Sequence, residues 1–354
     1  MNHLITRLIA AALWFAPSAL LAQDVALPEA LADPVADFRE AATLHVEATV
    51  LALTADGSPR AQRLAAVLAA SRLPRPACAS DAPSDCTRQP AHGRVRELLE
   101  TALKANPDDV LLHWIAAQDP SLPPQQRQRL VGRLAVLEPS NAAVWLLRLR
   151  GAAQDGAAAA DAVLAAAADA QRHSLYTGER MRAYLDAFET LPLPAAMRGT
   201  LPGLEWTPDD ATARAVQALM SWLSDPIPPA MLQLMRECRE PPAGRRAHCL
   251  TIAETLLARS DSSLAVAMGA DLLGRHADPE RQAEARARRR QVAWWQAQSG
   301  LAELDAADAP ERLRVVFAAW REPGAGELSV LRAQAQDRGL PLAPPPEWAP
   351  ARQP

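Results

Sequence analysis

The run ALKANPDDVLLHW, residues 102–114, returns in outline as AVLEPSNAAVWLL, residues 135–147. In each, a helical pattern stops at a proline, Pro107 or Pro139. It restarts at a capping residue, Asp108 or Asp109 in the first case and Ser140-Asn141 in the second. It then reaches a tryptophan, Trp114 or Trp145. The prolines are 32 residues apart and the tryptophans 31. Proline cannot continue a helix, and Asp, Ser and Asn satisfy the free N–H groups of the next one. A unit of helix, turn and helix recurring at this period buries its apolar face on the units before and after it.

Working outward, the same punctuation continues. Val35, Phe38, Ala42, Val46 and Val50 share a face in a helix from Pro34 to about Thr54. Ser58-Pro59 opens the next. Val95, Leu98, Leu99, Ala102 and Leu103 lead to Pro107, and Leu130, Leu134 and Leu137 lead to Pro139. Val144, Trp145 and Leu149 continue one helix after Asn141. GAAAADAVLAAAADAQ, residues 156–171, is an alanine-rich helix. Met181, Tyr184, Leu185 and Phe188 form a stripe, as do Val216, Leu219, Met220 and Leu223 behind Pro208-Asp209. Pro228, Pro242, Ser262, Pro279, Pro310 and Gly326 mark the later starts. Aromatic residues are only 4%, nine of them tryptophan, so alanine and leucine must fill the core. That mixture suits close-packed helices and not strands. The expected fold is all-α.

The proline closing one helix pair and the tryptophan opening the next, at Pro107/Trp114 and Pro139/Trp145, resemble the junction of tetratricopeptide repeats. The resemblance covers about residues 95–155. The leucine-glycine step and later tyrosine of that family are missing after Trp145, where this chain has RLRGAAQDG. The resemblance implies an irregular right-handed α-solenoid of antiparallel helix pairs, a surface for a protein or peptide partner.

MNHLITRLIAAALWFAPSALLAQD, residues 1–24, has the form of a secretory leader. Arg7 precedes an apolar stretch from Leu8 to Leu21, and Ala22 is a plausible last residue before cleavage. The stretch is shorter than the roughly 20 residues of a membrane span, and Pro17 interrupts it. The expectation is residues 1–22 as a leader, a periplasmic or secreted location, and no stable membrane insertion after cleavage. The remaining divisions are a helical-repeat half at 23–191, an irregular connector at 192–207, a second helical half at 208–340, and an extended or disordered proline-rich tail at 341–354.

Four cysteines form two close pairs, Cys78 with Cys86 and Cys238 with Cys249. Each pair brackets a polar loop, so neighbour pairing is favoured in an oxidising compartment. Closing either loop stabilises the fold by roughly 2.5–3 kcal/mol on the chain-entropy account. The spacings are wider than zinc ligands favour, and no metal or other cofactor is expected.

Chemistry is thinly marked. There is no H-E-x-x-H, no G-x-S-x-G and no phosphate-cradling glycine loop. The net charge of −4 argues against nucleic acid as a bulk partner. Glu179, Asp186, Glu189, Glu205, Asp209 and Asp210 offer paired carboxylates of the kind that cleave glycosides, although Asp209 and Asp210 also suit a helix start. RQAEARARRRQVAWW, residues 281–295, joins arginines to aromatics. Its candidate binding surface is Arg288, Arg289, Trp294 and Trp295, with one tryptophan expected in the core and the other at a groove edge, since consecutive residues point about 100° apart. The tail's PPPEW, residues 344–348, reads either as a proline-rich ligand for another protein or as a segment that docks Trp348 on its own domain. The expected function is an exported, non-catalytic scaffold for a protein or peptide. The alternative is a cell-envelope enzyme, acting for example on peptidoglycan through the acidic residues near the middle.

Overall fold

Capping chemistry sets where the helices begin. The computed structural model describes residues 29–71, 91–194, 197, 209–223, 228–299 and 309–350. Among them the chain forms sixteen α-helices and no strand. The leader, the loop with Cys78 and Cys86, Glu205 and most of the expected connector lie outside the described residues.

α1 spans Glu29–Asp56 and α2 Pro59–Ala69. Between them Ser58 is extended, and its Oγ accepts from Ala61 N at 3.3 Å. α3 (Ala91–Ala105) ends before Pro107. α4 (Val110–Gln118) starts at Asp109, whose Oδ1 accepts from Leu112 N at 2.8 Å. α5 (Pro124–Leu137) stops before Pro139, and Asn141 caps α6 (Ala142–Leu146). The helix expected to run on through Leu149 is corrected here. It tightens at Leu147 and Arg148, where Arg148 N donates to Trp145 O three residues back, and resumes as α7 (Leu149–Asp155). The alanine-rich helix is α8 (Ala157–Ala168), followed by α9 (Thr177–Phe188), α10 (Asp210–Leu223), α11 (Pro229–Arg239) and α12 (Ala243–Arg259). α13 (Ser263–His276), α14 (Pro279–Gln298), α15 (Ala309–Arg321) and α16 (Glu327–Asp337) complete the set. No helix among the described residues is long and apolar enough to cross a membrane.

The chain divides into two units, each drawn from three separate stretches. The first takes residues 1–123, 179–226 and 300–317. The second takes 124–178, 227–299 and 318–354. Each unit therefore uses residues from both of the stretches expected as halves, 23–191 and 208–340. The Pro107/Trp114 junction belongs to the first unit and the Pro139/Trp145 junction to the second. Turn signals act locally and carry no information about which distant helices pair.

In the first unit α1 packs on α2, α2 on α3, and α4 on both α2 and α3. Val50, Leu64, Leu68, Leu99, Leu112 and Trp114 fill this layer and are almost fully buried. The expected stripe on α9, Met181, Tyr184, Leu185 and Phe188, is buried throughout. His45 ties α1 to α9 and α10. Its ring stacks on Phe188 with centroids 5.8 Å apart, and its Nδ1 lies 2.8 Å from Gln217 Oε1. Gln217 Nε2 donates to Ala42 O at 3.1 Å, so Oε1 must accept and His45 Nδ1 must carry the proton.

In the second unit α12, α13 and α14 pack in succession, α8 lies against α6, α7 and α12, and α16 lies against α14. The core runs through Leu146, Leu164, Leu234, Ile252, Leu256 and Leu272, all nearly inaccessible to water. Gly269 permits the α12–α13 crossing, since a Cβ there would stand 2.6 Å from Ala253 O. Cys238 and Cys249 are bonded, joining α11 to α12 across Glu240–Pro242, and both are buried. Arg245 is buried as well, donating to Asp161 Oδ1 at 2.6 Å and pairing with Glu237. Neither charge partner leaves its guanidinium uncompensated.

Candidate functional site

The arginine-tryptophan run forms most of α14, and the site begins with how that helix is held. Asp278 Oδ1 accepts from Arg281 N at 3.0 Å, Pro279 occupies the first turn, and Arg281 pairs with Glu254 at 2.8 Å. Ala285 and Val292 face the core. Arg290 and Gln291, and four residues on Trp294 and Trp295, then stand as two adjacent ridges one turn apart.

The C-terminal segment lies across those ridges. α16 ends in a reversal: Gly339 has φ +65°, its N–H donates to Gln336 O, and Leu340 N donates to Ala335 O at 2.9 Å. The chain is thereby turned onto α14. Trp294 Nε1 donates to Pro341 O at 2.8 Å and Trp295 Nε1 to Leu342 O at 2.9 Å. Gln291 Nε2 donates to the same Leu342 O at 3.2 Å. The Arg290 guanidinium donates to Trp348 O at 2.9 Å through Nε, to Pro346 O at 2.9 Å through Nη2, and also to Pro345 O. Trp348 sets its ring edge-on to Trp294, centroids 5.3 Å apart.

This arrangement bears on two expectations. The segment expected to be extended or disordered from Pro341 bends at residues 342–343, turns where Trp348 N donates to Pro345 O at 3.0 Å, and is fastened to α14. Trp294 and Trp295 are both buried, not one in the core and one at a groove edge, because the overlying segment covers both ridges. Of the four residues singled out in the sequence, Arg288, Trp294 and Trp295 come together, and the Arg288 guanidinium lies 5.2 Å over the Trp295 ring. Burial, with Arg332 as a like charge nearby, holds Arg288 below its ordinary basicity. Arg289 is exposed. Arg290 and Gln291 were not singled out, although their spacing of four from the tryptophans was readable. Trp348 was considered for docking, but nothing in the sequence pointed to its place on Trp294.

A second polar cluster centres on the strand-like segment Gln171–Tyr176. Asn141 is fully buried. Its Oδ1 accepts from Ala143 N and Ser174 N, and its Nδ2 donates to Ser174 O and to Tyr176 Oη at 3.0 Å. Asp261 accepts from Ser174 Oγ at 2.7 Å and from Leu175 N at 3.3 Å. Glu327 accepts from Ser263 N at 3.0 Å and from Ser263 Oγ, so the first residue of α16 caps α13. Burial pushes the Glu327 carboxyl above its ordinary value, and Asp261 adds to this. His173 is buried too, its Nδ1 3.1 Å from Ser260 Oγ, and burial lowers its pKa to about 3. These groups are engaged with helix starts and turn backbone, which accounts for their burial without a substrate.

Three of the carboxylates that could serve catalysis have partners. Asp209 accepts from Thr212 N at 2.8 Å at the start of α10 and pairs with Arg314 at 3.4 Å. Asp186 pairs with Arg60 at 3.3 Å, and Glu179 with Arg182 at 3.8 Å. No group of three or more His, Cys, Asp or Glu among the described residues is arranged to hold a metal ion. Trp114 is core, and Trp145 is half-buried with Nε1 donating to Pro139 O at 2.9 Å. Compared with known proteins, the chain matches no family model, no curated sequence and no solved structure.

Proposed function

We propose that this protein is an exported, non-catalytic helical scaffold that binds a protein or peptide partner in the cell envelope. In this reading its helix pairs form an irregular right-handed solenoid of the tetratricopeptide type, and Cys78 and Cys86 form a second local bridge. The observation that carries it is the α14 surface. Side-chain N–H donors from Arg290, Gln291, Trp294 and Trp295 hold the segment 341–348 by its main-chain carbonyls. The same donors would hold a peptide of another chain, because main-chain carbonyls are common to every peptide. The buried disulfide between Cys238 and Cys249 is consistent with an oxidising compartment.

The test is a photoreactive residue in place of Arg289, which is exposed beside the site. Illumination of the envelope fraction should yield a reproducible adduct with one protein or peptide. Adducts to wall polymer alone, or none, would overturn the reading. Fractionation supplies the second check, since a protein retained wholly in the cytoplasm does not fit an exported scaffold.

A further inference from the structure

The bonds between α14 and residues 341–348 run in one direction. Every one goes from a side-chain N–H of α14 to a carbonyl oxygen of the segment: Pro341 O, Leu342 O, Pro345 O, Pro346 O and Trp348 O. None uses a main-chain N–H of the segment. Proline has no N–H to offer, so a surface that asks only for acceptors loses nothing when its ligand is proline. An ordinary peptide laid on the same surface would bring N–H groups that these residues cannot satisfy. Pro346 also favours the turn in which Trp348 N donates to Pro345 O at 3.0 Å, which lowers the ordering cost. The prolines at 341, 344, 345, 346 and 350 match this demand. Trp348 adds an aromatic anchor two residues after the proline run, placed on Trp294.

Resting on the peptide-binding reading above, we propose that the α14 face selects proline-rich segments that turn at a proline and bear an aromatic residue just after the prolines. Residues 341–348 of this chain then occupy the site in cis and compete with the external ligand. The occupant is thin. Pro341, Ala343, Pro346 and Glu347 are exposed while Leu342 and Trp348 are half-buried, so the strap is held mainly by the carbonyl bonds and one ring contact. Tethering supplies it at an effective concentration of roughly millimolar. An external segment must exceed that or meet a chain whose strap is weakened.

The experiment uses the full chain and a full-length variant with Pro344→Gly, Pro345→Gly, Pro346→Gly and Trp348→Ala, which leaves α14 untouched. Helix content by circular dichroism verifies folding, and acrylamide quenching reads the exposure of Trp294 and Trp295, taken as the difference from versions of each chain carrying Trp294→Phe and Trp295→Phe. Two labelled peptides are titrated by fluorescence anisotropy: PLAPPPEWAP, and ALAAAAEWAA with each proline replaced. The variant should show increased quenching, bind the proline peptide at least about tenfold more tightly than the unaltered chain does, and prefer it over the alanine peptide by about tenfold. Equal binding of both peptides would overturn the selectivity while leaving the peptide-binding reading intact. Binding of neither peptide to a variant whose tryptophans have become quenchable would overturn both. Unchanged quenching would mean that the segment holds without Pro344, Pro345, Pro346 and Trp348, which also overturns the selectivity.

Discussion

Asn141 shows how much one side chain carries at the residue scale. Its amide caps α6 and bonds both sides of the segment around Ser174, including Tyr176 Oη. Asn141→Ala removes all of these at a site with no water access, leaving Ala143 N and Ser174 N without a side-chain acceptor. A loss of about 2–4 kcal/mol is expected in urea denaturation; a loss below about 0.5 kcal/mol would contradict the network. The capping role was legible from Ser140-Asn141 after Pro139, because a cap is a local event. The bonds to Ser174 and Tyr176 were not, since they join residues 33 and 35 positions away. Tyr176 has φ +57°, and the short polar segment before it shows no periodicity that would announce it.

At the scale of elements, helix starts were readable and helix neighbours were not. Ser58, Asp109, Asn141 and Asp278 each cap the helix that the sequence placed after them. Glycines separate the two kinds of information. Gly132 lies inside α5 with nothing within 4 Å of an added Cβ, so Gly132→Ala should raise stability by about 0.5–1 kcal/mol through helix propensity alone. Gly178, at the start of α9, would set its Cβ only 1.6 Å from Ala325 O. Gly178→Ala should therefore cost more than about 2 kcal/mol, because the clashing atom is main chain and cannot swing away. Thermal unfolding of the two variants side by side checks both signs. The bond between α11 and α12 gives a third test. Replacing Cys238 and Cys249 together by alanine should lower stability by about 3 kcal/mol, measured by denaturation under non-reducing conditions.

The charges buried in the second unit set how the whole molecule responds to pH. His173 has an ordinary pKa of 6.5 and about 3 when folded. The unfolded chain takes up this proton as pH falls below 6.5 while the fold refuses it, so stability is present above 6.5 and lost from there down to about pH 3. The slope is about 1.4 kcal/mol per pH unit for the one group. Burial lowers His45 in the first unit too, so it acts in the same direction. Glu327 works oppositely. Its carboxyl is raised above 4.5, so stability is lost as pH climbs from there through its folded pKa. His173→Gln should shed about one proton from the dependence between pH 6.5 and 3, as read from urea midpoints across that range; an unchanged dependence would show that His173 accepts the proton in the fold. At this scale the all-helical class and the arginine-tryptophan run were legible, because alanine content and residue type reveal them directly. The covering of Trp294 and Trp295 was not, since it depends on a reversal at Gly339 that aims a distant segment back at α14.

That reversal also fixes an order of events. A chain made from its N-terminus delivers α14 before residues 341–348, so both indoles wait uncovered until that later segment emerges. The second unit cannot close early, for its third stretch begins only at residue 318. Closure of this unit therefore follows synthesis of its third stretch, and the two indoles are covered only after α16 and the reversal behind it exist.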